Sequence, residues 1–337
     1  METKPVNVAI LSFAHFHAYS YARALKELPS ARLSAVFDDD KERGFQAAKR
    51  YGVDFYEDYE RLLKREDIEA VVIASENAKH ARMTIAAAEA GKHVLVEKPM
   101  AISLKDADEM IRASRKAGVK LQVCYVMRYS RPAIIVKEIL DRGTIGKLRA
   151  IVGTNRLRHF QGDWFVRPEL SGGGAIMDHT VHLADLMRWY TGSEVETVYT
   201  EIGTNVDRSL RVEDCFLTLL DFRNGVKATI DGSWSRPESF YTWGDVTLEV
   251  LGSEGAVLLD AFRQVAYLCL SGEPKNPYQW HQWGCDVDKE MVRDFLSCIR
   301  EDREPRATGY DGRQGTEITL ASYESAKAGR PLKLPLV

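Results

Sequence analysis

The chain has 337 residues, of which 45% are hydrophobic and 28% charged, with a formal net charge of −3. That length exceeds one comfortable core and predicts two domains, while the near-neutral balance excludes the cationic field that nucleic acid or an acidic membrane surface would require. No apolar run approaches the ~20 residues of a membrane span, and the five cysteines are scattered without a C-x-x-C pair, so neither a membrane protein nor a disulfide framework is expected.

The first third alternates strand-like and helix-like segments. Strands are predicted over 6–11, 32–37, 68–74, 93–96 and 120–125. Helices are predicted over 17–28, 41–51 (stopped by Gly52), 59–65, 79–90 (stopped by Gly91) and 103–116, where Ser103 caps the start and Gly118 closes the end. Such alternation predicts a parallel, doubly wound sheet. After about Met127 the pattern changes. A helix over 133–141, a strand over 147–156, the run Gly172-Gly173-Gly174 and a helix over 175–190 come first. Strands follow over 194–202, 213–222, 226–235, 245–251, 257–261 and 264–270, with Asn224-Gly225 as a hairpin turn. Helices over 288–300 and 315–328 come last. The expected fold is an α/β Rossmann domain over 1–126 followed by an α+β domain over 127–337 with an open, mainly antiparallel sheet. With no basic, then apolar leader in view, the cytoplasm is the expected compartment.

Glu97-Lys98-Pro99 closes the buried strand at 93–96. Proline ends the ladder and restricts the residue before it, which holds Lys98 at a strand's carboxyl end, where open α/β sheets place their ligand crevice. A dinucleotide-binding half should carry G-x-G-x-x-G after its first strand. Here the stretch reads Ser12-Phe13-Ala14-His15-Phe16-His17. Ser and Ala are small enough to keep a close backbone approach, whereas His17 in the third glycine position is harder to accommodate. H-x-H after a first strand also opens many metal-dependent amidohydrolases. That fold needs eight strand–helix repeats, and this chain abandons the alternation halfway, so no metal ligand is expected. Asp38 ends the second strand about 20 residues past the turn, where an acid accepts hydrogen bonds from the adenosine ribose and repels a 2′-phosphate. It favours NAD over NADP.

Asp178 and His182 stand at i and i+4 on the helix that follows the glycine run. On such a face an acid can orient an imidazole and raise its basicity, which suits a general base near neutral pH. At this point the chain resembles the Gfo/Idh/MocA family. The resemblance is carried by Ser75 to His80, by Ala90 to Ala101 around Glu97-Lys98-Pro99, by Arg128, by Gly143 to Gly146, by Asp163-Trp164, by Gly172 to Asp185 and by Tyr323 to Ala326. It implies NAD(P)-dependent oxidation or reduction at a secondary alcohol or ketone of a sugar or polyol. Lys98, Asp178 and His182 are the implied catalytic set. Ser12, Phe13, Ala14, His15, Asp38, Ser75, Asn77, His80, Glu97, Lys98 and Arg128 are expected around the dinucleotide. Lys98, Arg158, Trp164, Asp178, His179 and His182 are expected around the substrate. Two positions depart from the family pattern: the glycine fingerprint, and Glu76 where the family usually has proline.

Arg158, His159, Trp164, Trp234, Tyr241, Trp243, Trp280, His281 and Trp283 fall in turns or strand ends of the second domain, and aromatic faces with polar rims suit sugar rings. The segment 215–220 is apolar on both faces, so a homodimer or homotetramer through the second sheet is expected. Three alternatives stand beside the dehydrogenase: a non-catalytic dinucleotide-binding regulator, an NAD-recycling glycoside-cleaving enzyme on the same fold, and a metal hydrolase using His15 and His17.

Overall fold

The computed structural model describes residues 4–158, 164–240, 242, 244–262, 265–269, 278–282 and 284–336. His159, Asp163, Tyr241, Trp243 and Trp283 lie outside these residues.

The first unit is a parallel sheet. Its elements are β1 (Val6–Leu11), α1 (His17–Glu27), β2 (Ala31–Phe37), α2 (Lys41–Tyr51), β3 (Asp54–Tyr56), α3 (Tyr59–Leu63), β4 (Ala70–Ile73), α4 (His80–Glu89), β5 (His93–Val96), α5 (Leu104–Ala117) and β6 (Leu121–Val123). The strand order is β3-β2-β1-β4-β5-β6. Every residue of β1 and β4 is buried, as expected of strands covered by helices on both faces. The helix stops work as the residues predict. The Asp40 side chain accepts from the Arg43 N–H, and Gly52 and Gly118 close α2 and α5 in the left-handed conformation. The short, half-exposed β3 carries no alternation to announce it and is absent from the expected list.

The second unit contains α6 (Arg131–Asp141), β7 (Leu148–Arg158), α7 (Pro168–Ser171), α8 (Ala175–Thr191), β8 (Val195–Ile202), β9 (Cys215–Phe222), β10 (Lys227–Arg236), β11 (Gly244–Gly252), β12 (Ala256–Asp260), β13 (Val265–Cys269), β14 (Tyr278–Gln282), α9 (Val287–Glu301), α10 (Gly309–Ala328) and β15 (Leu332–Lys333). Seven strands form one sheet in the order β12-β11-β7-β10-β9-β8-β15. Only β7 and β10 pair in parallel, so the sheet is mainly antiparallel. The expected strand over 264–270 is β13, which pairs with β14 apart from the large sheet. Its outermost positions, 264 and 270, are not among the described residues.

Helices α8 and α10 cover one face of the large sheet, and α9 packs against α1. Helix α10 starts six residues before the predicted 315. Three glycines that read as helix-breaking explain the difference. A Cβ on Gly312 would lie 2.6 Å from Met100 Sδ and 2.7 Å from Val123 Cγ2, so the helix needs glycine to approach β6. Thr308 and Asp311 close a capping box at its start. Among the described residues no helix is long and apolar enough to cross a membrane.

Candidate active site

Lys98 leaves β5 at its carboxyl end and reaches α8. Its Nζ lies 2.5 Å from Asp178 Oδ1, and both side chains are buried, at 4% and 7% exposure. Asp178 Oδ2 accepts from Trp234 Nε1 at 3.1 Å, and His179 Nε2 stands 3.2 Å from it. Burial would raise the Asp178 carboxyl, but the Lys98 ammonium and His179 outweigh it and hold the group well below the usual carboxylate range. A charge this deeply buried is stable only with such partners.

The start of α8 is seated by two residues distant in sequence. Glu213 Oε1 accepts from the N–H groups of Gly174 and Ile176 at 3.1 and 3.0 Å. Tyr323 Oη lies 3.1 and 3.2 Å from the N–H groups of Gly174 and Met177, accepts from both, and donates to Glu213 Oε1. An anion at a helix N-terminus satisfies orphan donors and complements the dipole. Gly173 is required there, since a Cβ on it would fall 1.9 Å from Tyr323 Oη.

His182 is one turn further along α8. No hydrogen bond joins it to Asp178, so the expected acid–imidazole pair is corrected: Asp178 serves Lys98, Trp234 and His179 instead. The His182 Nδ1 is buried without a partner. Burial, then the charge of Lys98, hold its imidazole neutral well below the ordinary 6.5. Lys98, Asp178, His179 and His182 border one cavity of about 560 Å³, together with His15, His17 and Asn155. Asn155 on β7 also has a buried orphan, its Oδ1. Sequence reasoning missed Asn155, because nothing but strand alternation marks it.

The first turn is unusually side-chain-rich. Ser12 has φ +76°, the left-handed conformation that the absent first glycine would normally supply. Its Oγ accepts from the Ala14 N–H at 3.1 Å. The Phe13 N–H donates to Asp38 Oδ2 at 2.7 Å, and the buried Phe13 ring packs on Tyr19 and Tyr51. His15, through its N–H, bonds to the carbonyl of Ala74 at 2.9 Å. His17 Nδ1 stands 3.2 Å from Glu97 Oε2, which also accepts from Tyr21 Oη at 2.5 Å. The other Glu97 oxygen accepts from the Lys98 N–H at 2.9 Å. Glu97 is fully buried. Burial pushes it up, but His15, His17 and Lys98 hold it far below the usual carboxylate range. His15 is held well below 6.5 by burial, whereas Glu97 overcomes burial at His17 and raises it.

Several expected contacts are placed elsewhere. Arg128 does not border the cavity. It bonds Asp185 through two nitrogens at 2.7 and 2.6 Å and also reaches Asp311 at 3.0 Å, deep between α8 and α10. Arg158 donates to the Phe240 carbonyl at 2.6 Å and is likewise off the cavity wall. Trp164 donates from Nε1 to the Ala14 carbonyl at 3.1 Å and stacks on Phe165, so it covers the first turn while Phe165 borders the cavity. The His80 ring sits between the carbonyls of Pro99 and Ser75 at 2.9 and 3.1 Å, bracing two strand exits. Ser75 is buried, its hydroxyl on the Glu76 carbonyl.

The residues fit a dinucleotide in three respects. Ser12 holds the turn conformation, Asp38 stands at the end of β2, and Asn77 keeps a buried, unpartnered Oδ1. Arg43 grips Asp38 through Nε and Nη2 at 2.9 and 2.6 Å, so the acid is already neutralised.

Residues 6–125 match a family model described as an oxidoreductase family with an NAD-binding Rossmann fold, and residues 134–258 match the GFO/IDH/MocA C-terminal domain. The chain is 29% identical to a myo-inositol 2-dehydrogenase of Thermotoga maritima over 93% of this chain and 94% of that protein. It is 31% identical to a 2,7-anhydro-N-acetylneuraminate hydratase of Mediterraneibacter gnavus over 76% and 68%. The crystal structure of GenD2 from gentamicin A biosynthesis in complex with NAD superposes with a TM-score of 0.89 at 25% identity, covering 100% and 98% of the two chains.

Proposed function

The chain belongs to the Gfo/Idh/MocA oxidoreductase family, and from that premise we propose that it interconverts a secondary alcohol and a ketone on a sugar or polyol, with NAD rather than NADP as its partner. One observation carries the reading: Lys98, Asp178 and His182 border one cavity, with Lys98 and Asp178 paired at 2.5 Å. The nicotinamide supplies hydride chemistry when bound. Ser12 to Ala14, Asp38 and Asn77 are the residues that would hold the dinucleotide. Everything else is work for the chain itself. His182, kept neutral and bordering the cavity, is the group able to take a hydroxyl proton. Lys98, fixed by Asp178, presents a cation to the reacting oxygen, stabilising the negative charge that gathers there as the proton leaves. Asn155 offers an acceptor to a neighbouring hydroxyl. His182→Ala tests this: turnover should collapse while calorimetric NAD affinity persists. Wild-type turnover in that variant would refute the assignment.

A second reading is supported by the relative named as a hydratase. The same cavity would then run a cycle with no net redox change. Absorbance of reduced nicotinamide over a panel of sugars and polyols separates the two. Accumulation marks a dehydrogenase, and substrate loss without accumulation marks the cycle.

We further propose self-association through the open face of the large sheet. Leu258, Glu249, Val152, Thr229, Leu219 and Tyr199 form one cross-strand row. Three of its aliphatic residues are 76%, 45% and 43% exposed (Leu258, Val152, Leu219), which suits a second copy on a self-complementary two-fold interface.

A further inference from the structure

We propose that His15, His17 and Glu97 form a binding site for a divalent transition-metal ion, zinc by the chemistry of its donors, at the floor of the cavity. One ligand atom from each residue lies within 4.8 Å of the other two. Two imidazoles and one carboxylate are a donor set for Zn²⁺ in catalytic sites and for other first-row divalent ions. Ligand distances of about 2.0–2.2 Å put neighbouring donors of a tetrahedral ion about 3.3–3.6 Å apart, so the triad needs only a small contraction. His17 Nδ1 and Glu97 Oε2, at 3.2 Å, are already at that spacing.

Three further observations support the site. The carboxylate is oriented from outside, because Tyr21 Oη donates to Oε2 and the Lys98 N–H to Oε1. Metal-ligating carboxylates are commonly braced in this way. The donors sit on rigid supports: His15 and His17 bound the start of α1, and Glu97 follows β5 directly. Finally, the charges ask for a cation. Among the described residues, the cavity wall carries Asp178, Asp286 and Asp288 against Arg23 and Lys98, and Glu97 stands beside it. Asp178 and Asp286 are already paired with Lys98 and Arg23, so Glu97 is the carboxylate left to draw a metal ion.

His15 and His17 border the cavity, as do Lys98, Asp178 and His182. With three protein donors, a tetrahedral ion keeps one position open, and that position faces the space where substrate would sit. The ligand it would take is an oxygen donor, such as a hydroxyl or a ketone. His15 Nδ1 now accepts from the His17 N–H at 3.2 Å. That contact is given up if Nδ1 ligates and kept if Nε2 does. The exchange of the glycine fingerprint for Ser12-Phe13-Ala14-His15-Phe16-His17 thereby gains a physical reason, since it supplies two of three ligands.

The test is titration of chelator-stripped full-length protein with Zn²⁺, and separately with Co²⁺, by calorimetry and by the visible band of tetrahedral cobalt. One ion per chain is expected. His15→Ala, His17→Gln and Glu97→Gln should each weaken binding by about 100-fold or more, since even supporting partners cost 10–100-fold. His182→Ala should leave it unchanged. Wild-type protein that takes up no ion overturns the proposal, and so does uptake that survives Glu97→Gln and His15→Ala. The wild-type titration decides even if a variant fails to fold. A parallel NAD titration reports on the dinucleotide reading independently, because the metal site does not rest on it.

Discussion

At the scale of single residues, Lys98 and Asp178 form a buried ion pair. Each is buried, and each is tolerable only because of the other. Asp178→Asn should therefore damage both stability and turnover. Removing one partner of a buried pair costs about 3–5 kcal/mol, readable as a lower midpoint in urea. Lys98→Met with Asp178→Leu should recover much of the stability and none of the activity. His182 makes a different prediction. Its imidazole titrates below the ordinary 6.5 because burial and Lys98 disfavour the cation. The neutral form therefore persists to lower pH, and the acid limb of kcat/KM should fall below pH 6.5 and disappear in His182→Ala. That variant should lose about 100-fold or more in kcat. An acid limb above that value would refute the environment assigned to His182.

At the scale of elements, the helices and all strands of the first unit but β3 were legible because their residues obey local rules: Ser103 as a cap, Gly52, Gly91 and Gly118 as stops, buried runs as strands. The proposed catalytic trio rests on the resemblance, since i and i+4 spacing suggested a pairing that the helix does not make. What stayed illegible came from contacts distant along the chain. The caps of α8 are Glu213 and Tyr323. The early start of α10 answers to Met100 and Val123. Arg128 is held off the cavity wall by Asp185 and Asp311, beside Arg188, which reaches Asp311 at 3.0 Å. Asp185→Asn would leave Arg128, 6% exposed, with Asp311 as its remaining carboxylate and should lower the unfolding free energy by about 3 kcal/mol, with the cavity residues untouched. Thr308→Ala removes half of a capping box and should cost about 1 kcal/mol. Urea unfolding of both variants measures the difference.

At the scale of the whole molecule, the exposed aliphatic row across β12, β7 and β9 predicts an oligomer that can be split by charge. Leu219→Glu should lower the mass in light scattering, with the sheet itself intact by circular dichroism. An unchanged mass would place any interface elsewhere. Lys98 and its carboxylate partner come from segments made early, yet the phenol that seats the first turn of α8 belongs to residue 323. A nascent chain that has cleared the ribosome through His182 still lacks that support, and the floor of α8 is without its tether. The support of α8 is therefore complete only once residue 323 has been made.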